Sequence, residues 1–253
     1  MAELIIPFWG LVLIFLFIAF VYSSVGLGGG SSYTAVMAIT GVSIVFIPTV
    51  SLLLNILVTS LGTYHFTRHK HVNFSLLLPF LLSSMPMSFL GASLHLDKGI
   101  FQYILLFSLV LVVLRIYFWD QVSLRIEINQ KQKLLLSILT GGILGLIAGI
   151  VGIGGGIYLA PLILLFNLGT VKEAAGCAVI FVFLNSVMGL LGKASQDQIN
   201  ELIAYWPLVL AVIVGGFLGS RLGAVSLNPK VMEKVLGVIL IFAILIILFK
   251  QIF

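Results

Sequence analysis

Two runs of glycine interrupt this chain, Gly26-Leu27-Gly28-Gly29-Gly30 and Gly152-Ile153-Gly154-Gly155-Gly156. Each follows a valine and each lies inside long apolar sequence. Their meaning depends on the solvent the rest of the chain demands. Of the 253 residues, 61% are hydrophobic and 8% are charged, where an ordinary soluble domain carries about 25% charge. A soluble core does not hide this much apolar surface, so the bilayer is the solvent. Room exists for roughly eight to ten segments at about 20 residues per crossing. The expected fold class is an all-α polytopic membrane protein. A helix broken at membrane depth must find partners for its freed N–H and C=O groups in protein, water or a ligand. Glycine lets the backbone leave helical geometry and lets another group approach closely. The two runs therefore read as facing halves of one site where backbone amides meet an anion.

The order of segments repeats. In the first half, apolar sequence from about Leu4 to Ser24 leads into the first glycine run. A short segment from Ser31 to Thr40 follows, and Gly41-Val42-Ser43 reads as a helix stop and a new N-cap. A long segment then runs to about Phe66, and two more cover Phe74 to Leu94 and Ile100 to Phe118. The second half opens at about Leu134, breaks at its glycine run, and has a short segment from Ile157 to Phe166. Thr170 then reads as the N-cap of a segment that ends near Gly192. Two further segments cover Leu202 to Leu222 and Val231 to Phe253. The glycine runs are 126 residues apart; Asn55 and Asn185, like Gly62 and Gly192, are 130 apart; Phe89-Leu90-Gly91 and Phe217-Leu218-Gly219 are 128 apart. Three blocks in one order imply a duplication. The expected division is a membrane repeat over 1–118, a cytoplasmic linker over 119–133 and a second membrane repeat over 134–253.

Charge sets the expected orientation. The net charge of +5 arises from 13 Lys and Arg against 8 Asp and Glu, and in a membrane protein that excess reports orientation rather than a nucleic-acid partner. Arg68 and Lys70 in one loop, and Arg115, Arg125, Lys131 and Lys133 around the linker, read as cytoplasmic. In the second half the positive turn, with Arg221, Lys230 and Lys234, falls where the first half is neutral. Equivalent loops on opposite sides are the pattern of an inverted repeat, which places both termini outside the cytoplasm. Met1 to Phe20 lacks a basic leader and a cleavage site, so it reads as a retained span. The short segments after the glycine runs are too short to cross at 1.5 Å per residue and read as re-entrant half-helices.

The chemistry is narrowed by what lies at depth. All eight carboxylates and all four histidines fall in loops or near segment ends, whereas a proton- or sodium-driven cation carrier usually holds an intramembrane carboxylate. No catalytic or metal-binding constellation is apparent, so neither an enzyme nor a metal or other cofactor is expected. The lone Cys177 reads as a small packing residue. Glycine amides, hydroxyls and two asparagines remain, and a helix N-terminus offers free N–H groups with about half a positive charge. The candidate substrate-binding residues are Gly28, Gly29, Gly30, Ser31, Ser32, Tyr33, Ser51 and Asn55 in the first half. Their counterparts in the second are Gly154, Gly155, Gly156, Ile157, Tyr158, Asn185 and Ser186. A single glycine run in a membrane helix is most often a packing device; two at equivalent positions reverse that reading. Interhelical hydrogen bonding explains the asparagines about as well as substrate contact does, and packing is the simpler role for either tyrosine alone.

The second glycine run, followed by Ala160-Pro161-Leu162, Asn185-Ser186 and Gly189, resembles the second repeat of the TauE/SafE family of sulfite exporters. The first run, the loop His65 to Asn73 and Phe89-Leu90-Gly91-Ala92 fit the family's first repeat, so the resemblance covers nearly the whole chain. It implies an integral inner-membrane carrier of small sulfur-containing anions such as sulfite, sulfoacetate or related organosulfonates, often an exporter. The expected partners are a small anionic substrate and the lipid bilayer, with no nucleic acid; the oligomeric state stays open. An anion channel is the nearest alternative, and a membrane scaffold with packing glycines is the alternative from another class.

Overall fold

The computed structural model describes residues 8–24, 27–43, 45–68, 70–94, 96–118, 129–193, 205–223 and 229–252. They form ten α-helices and, among the described residues, no strand. In chain order these are α1 (Phe8–Ser24), α2 (Gly30–Thr40), α3 (Ile47–Arg68), α4 (Phe74–Ser93), α5 (Lys98–Phe118), α6 (Gln130–Val151), α7 (Gly156–Leu165), α8 (Val171–Lys193), α9 (Trp206–Gly223) and α10 (Pro229–Ile252). The all-helical expectation holds. Five helices, α3, α4, α5, α6 and α8, are long and apolar enough to cross a membrane, and α1, α7, α9 and part of α10 are shorter apolar stretches. Side chains such as Trp9, Leu13, Phe107, Ile143, Phe242 and Phe249 are exposed, an outer surface suited to hydrocarbon rather than water. The linker residues 119–128 and the loop 194–204 lie outside the described residues.

Helix ends follow local chemistry. Helix α2 has 11 residues and stops at Gly41, whose φ of 91° is left-handed; α7 has 10 residues. At 1.5 Å per residue each is about 15 Å long, half of a hydrocarbon core of about 30 Å. Helix α3 begins at Ile47, not directly after Ser43. The Ser43 carbonyl accepts from Phe46 N (3.0 Å) and Ile47 N (3.2 Å), so a turn comes first. Helix α8 does start directly after Thr170, whose N–H donates to Glu173 Oε2 (2.8 Å) while its Oγ1 accepts from Glu173 N (3.3 Å). Helix α6 starts four residues before the expected Leu134, because Asn129 and Gln132 form a reciprocal capping box at 2.9 and 3.0 Å. Asn129→Ala is expected to cost about 1 kcal/mol, read as a lower melting temperature in detergent with unchanged transport.

The helices are drawn together by small residues. On α6, Gly141, Gly145 and Gly149 share one face at a spacing of four. A Cβ on them would stand 2.6, 2.2 and 2.0 Å from the carbonyl oxygens of Phe80, Ser84 and Ser88 on α4. On α9, Gly215 and Gly219 approach the carbonyls of Leu16 and Phe20 on α1 to 2.2 and 2.1 Å by the same measure. Such spacing lets helix backbones touch, which supplies packing where hydrocarbon offers no hydrophobic drive. Gly91 of α4 meets Leu146 O in the same way that Gly219 of α9 meets Phe20 O. Leu146 lies 126 residues after Phe20 and Gly219 lies 128 after Gly91, so the two contacts correspond under the sequence offsets. In the middle of the molecule α3 packs on α8, α2 on α3, and α7 on α8. Each half-helix is thus carried by a long helix, and their N-termini face a common centre.

Candidate functional site

The two glycine runs reach that centre by different backbone routes. Gly152, Gly154 and Gly155 have φ values of 82°, 79° and 77°, a region side chains other than glycine rarely occupy. Gly152 closes α6 by donating to Ala148 O at 2.8 Å. In the first run Leu27 N donates to Tyr22 O at 3.0 Å, and Gly29 has φ −84°. Among the described glycines of that run none is left-handed; Gly26 lies outside the described residues. The runs are alike in sequence and unlike in conformation over their described residues.

The runs touch. A Cβ on Gly30 would stand 2.7 Å from Ile153 O and 2.4 Å from Asn55 Nδ2. One on Gly28 would stand 2.9 Å from Asn55 Oδ1 and 3.0 Å from Val182 Cγ1. One on Gly154 would stand 2.7 Å from Val182 Cγ1, 3.1 Å from Ser186 Oγ and 3.2 Å from Asn55 Nδ2. Gly156 meets Val182 from the other side at 2.3 Å. Asn55 of α3 therefore stands between the runs, and Val182 and Ser186 of α8 form the opposite wall.

Hydrogen bonds sort the polar groups. Ser51 Oγ donates to Gly152 O (2.8 Å), Asn55 Nδ2 donates to the same carbonyl (3.2 Å), and Thr34 Oγ1 donates to Gly30 O (2.7 Å). Carbonyl oxygens that would repel an anion are thus turned toward protein donors. At the starts of α2 and α7 the arrangement is reversed, for neither Gly29 nor Gly155 caps its helix with a side chain. The first-turn amides at a helix N-terminus have no partner within the helix and carry partial positive charge. Among the residues expected at the site, four buried side-chain atoms have no hydrogen-bond partner: Asn55 Oδ1, Ser186 Oγ, Asn185 Oδ1 and Tyr33 Oη. Their residues are fully buried, and an unsatisfied buried polar atom carries a free-energy cost that a ligand can remove.

Of the residues expected at the site, Gly28, Gly30, Ser51, Asn55, Gly154, Gly156 and Ser186 come together here, with Gly29 and Gly155 as the caps. The others face elsewhere. Ser31 and Ser32 are both bonded to Tyr22 Oη, the second at 3.1 Å. The Tyr33 ring folds over Gly29 and stacks on Phe15 with centroids 5.0 Å apart. Tyr158 donates to Ser108 O on α5 at 2.6 Å, and Ile157 is buried in the apolar core. Asn185 Nδ2 is returned to Phe181 O of its own helix at 2.9 Å. Thr34, Thr59 and Val182 join the site without having been picked out. Ser51, Asn55 and Thr59 recur every four residues, a spacing that sets one face of a helix and a signal for Thr59. Val182, an apolar residue in an apolar helix, had none. Among the described residues no group of three His, Cys, Asp or Glu side chains is placed to hold a metal. The arrangement is a neutral, buried, donor-bearing junction between the starts of α2 and α7.

Comparisons with known proteins agree with this setting. The family described as "Sulfite exporter TauE/SafE" matches residues 11–250. The chain is 33% identical over 236 residues to the probable membrane transporter protein y4hK of Sinorhizobium fredii, covering 91% of this chain and 94% of that protein. It is 27% identical over 259 residues to the probable membrane transporter protein YunE of Bacillus subtilis, covering 91% and 92%. No solved structure matches it.

Proposed function

Since the chain belongs to the TauE/SafE sulfite exporter family, whose relatives are described as probable membrane transporters, we propose that it carries a small sulfur-containing oxyanion, sulfite or a related sulfonate, held between the two glycine runs. The chain is an integral multi-pass membrane protein of a transporter family. The observation that carries the substrate reading is the meeting of two helix N-termini without side-chain caps around Asn55 and Ser186, each of which keeps a buried polar atom without a partner. Amides of Gly28 to Gly30 and of Gly154 to Gly156 hold the anion's oxygens, and the Ser186 hydroxyl adds a donor. Each hydrogen bond to a charged ligand contributes about 1.5–3 kcal/mol.

The halves 1–118 and 134–253 act as inverted repeats that rock about the site and expose it alternately. The corresponding contacts Gly91 with Leu146 and Gly219 with Phe20 support that pairing. The carrier works in the bacterial inner membrane as an exporter, with both termini outside the cytoplasm and without covalent chemistry or a cofactor. The test is calorimetry and proteoliposome flux with sulfite, sulfoacetate, thiosulfate, sulfate and chloride, on wild type and on Ser186→Ala. Selective binding of a sulfur oxyanion, weakened about tenfold or more in the folded variant, is the expected result. Failure of every sulfur anion to bind overturns the reading.

A further inference from the structure

Taking that site as given, we infer that it selects a sulfur oxyanion that carries its own proton, hydrogensulfite rather than the fully ionised sulfite, with Asn55 Oδ1 accepting a hydrogen bond from the substrate's O–H or S–H. The orientation of the Asn55 amide decides this. Its Nδ2 faces the carbonyl of Gly152 at 3.2 Å, and only the NH₂ end of an amide bonds a carbonyl. Its Oδ1 is thereby turned to Gly28, 2.9 Å from where a Cβ would stand, and has no donor. Asn55 is fully buried, so that oxygen is shut off from bulk solvent.

The junction therefore offers two kinds of group at once. Helix-start amides and the Ser186 hydroxyl suit a substrate's oxygens, while Asn55 Oδ1 is a bare acceptor that repels them. A dianion leaves Asn55 Oδ1 facing negative charge. A monoanion with one O–H or S–H satisfies both sets. A site built to bond a substrate hydrogen rejects analogues that lack it by large factors. The same choice gives a role to the absence of buried carboxylates among the described residues: a proton that travels on the substrate needs no relay in the protein.

Titratable groups on the surrounding elements are few. Phenols occur at Tyr22, Tyr33, Tyr64 and Tyr158 on α1, α2, α3 and α7. The other groups are His65 and Arg68 late in α3, Lys131 and Lys133 at the start of α6, and Lys172, Glu173, Cys177 and Lys193 on α8. Arg221 is late in α9, and α4, packed on α8, has none; α5, packed on α2 and α7, carries Lys98, Tyr103, Arg115 and Tyr117, and α10, packed on α2, carries Lys230, Glu233, Lys234 and Lys250. His65 lies ten residues along α3 from Asn55.

Methanesulfonate provides the decisive comparison, because it has the charge and the three oxygens of hydrogensulfite, with a methyl group where the S–H form carries its hydrogen and no O–H or S–H to donate. Binding of sodium sulfite and of sodium methanesulfonate to the purified protein is measured by calorimetry from about pH 5.5 to about pH 8. At acid pH, hydrogensulfite is expected to bind at least about tenfold more tightly than methanesulfonate. Above the second ionisation of sulfurous acid, the dissociation constant on total sulfite is expected to rise about tenfold per pH unit, while that of methanesulfonate stays flat. In Asn55→Leu the two ligands converge; if that variant does not fold, the wild-type comparison decides alone. Equal affinity for the two ligands, or sulfite binding that is constant or stronger at high pH, overturns this inference and leaves the anion site standing. Binding of neither at any pH overturns the site itself.

Discussion

Replacing Gly154 with valine is expected to reduce transport below about a tenth of wild type and to lower stability by about 2–4 kcal/mol, from left-handed strain and overpacking together. Two separate demands meet at this residue. Its φ of 79° is closed to a β-branched side chain. Its missing Cβ is what allows Val182 Cγ1 to approach to 2.7 Å and Ser186 Oγ to 3.1 Å of that position. A side chain here pushes α8 away from the second glycine run and moves Ser186 off the junction. The double variant Gly154→Ala/Val182→Ala separates the terms: it restores space but not backbone freedom. Stability is expected to recover only in part, and sulfite flux with it. Gly142→Ala is the control, since its nearest atoms lie 3.8 and 3.9 Å away within an ordinary helix; melting temperature and flux are expected to match wild type. Full activity in Gly154→Val would remove the second run from the mechanism.

The second large effect lies outside the junction. Gly149→Leu is expected to prevent the folded protein from accumulating, with aggregated material on size-exclusion chromatography in place of a single peak. A Cβ at Gly149 would stand 2.0 Å from Ser88 O and 2.9 Å from Ala92 N. Both are backbone atoms of a helix, which cannot step aside as a side-chain tip can. Helices α4 and α6 would have to separate, and α6 ends at Gly152, whose carbonyl is the anchor for Ser51 and Asn55. The damage therefore reaches the site through a rigid helix. Gly219→Leu, against Phe20 O at 2.1 Å, is expected to behave alike across α1 and α9. Gly99→Leu has no atom within 4 Å of the added Cβ and is expected to fold normally.

Much of the architecture was legible because hydrocarbon leaves a chain few choices. Apolar length implied helices, glycine runs implied breaks, and the segments Ser31 to Thr40 and Ile157 to Phe166 were too short to cross. Helices α2 and α7 appear at those places. Thr170 capped α8 as its residue type suggests. The start of α6 was harder to place because Lys131 and Lys133 read as linker, while the Asn129–Gln132 box extends the helix through them.

Side-chain direction was the part that residue type and spacing left open. Ser31, Ser32 and Tyr158 sit beside the runs in sequence and Asn185 matches Asn55 by its offset, yet they bond to Tyr22, to the Ser108 carbonyl and to the Phe181 carbonyl. Each partner lies on another helix or a turn away, where sequence adjacency has no reach. The reverse holds for Val182, which nothing in its own neighbourhood marks and which touches Gly28, Gly154 and Gly156.

The sequence by itself determined that this chain lives in a bilayer as helices, that two of them are broken, and that the breaks carry donors and no carboxylate. Those properties are local, set by hydropathy, glycine and the obligation to satisfy backbone groups. Only the tertiary structure decided that the two breaks touch, that Asn55 stands between them, and that its amide gives its nitrogen to Gly152 and leaves its oxygen bare. Those facts depend on how close α4 and α6, and α1 and α9, come through their glycines, a distance that packing sets and no single segment encodes.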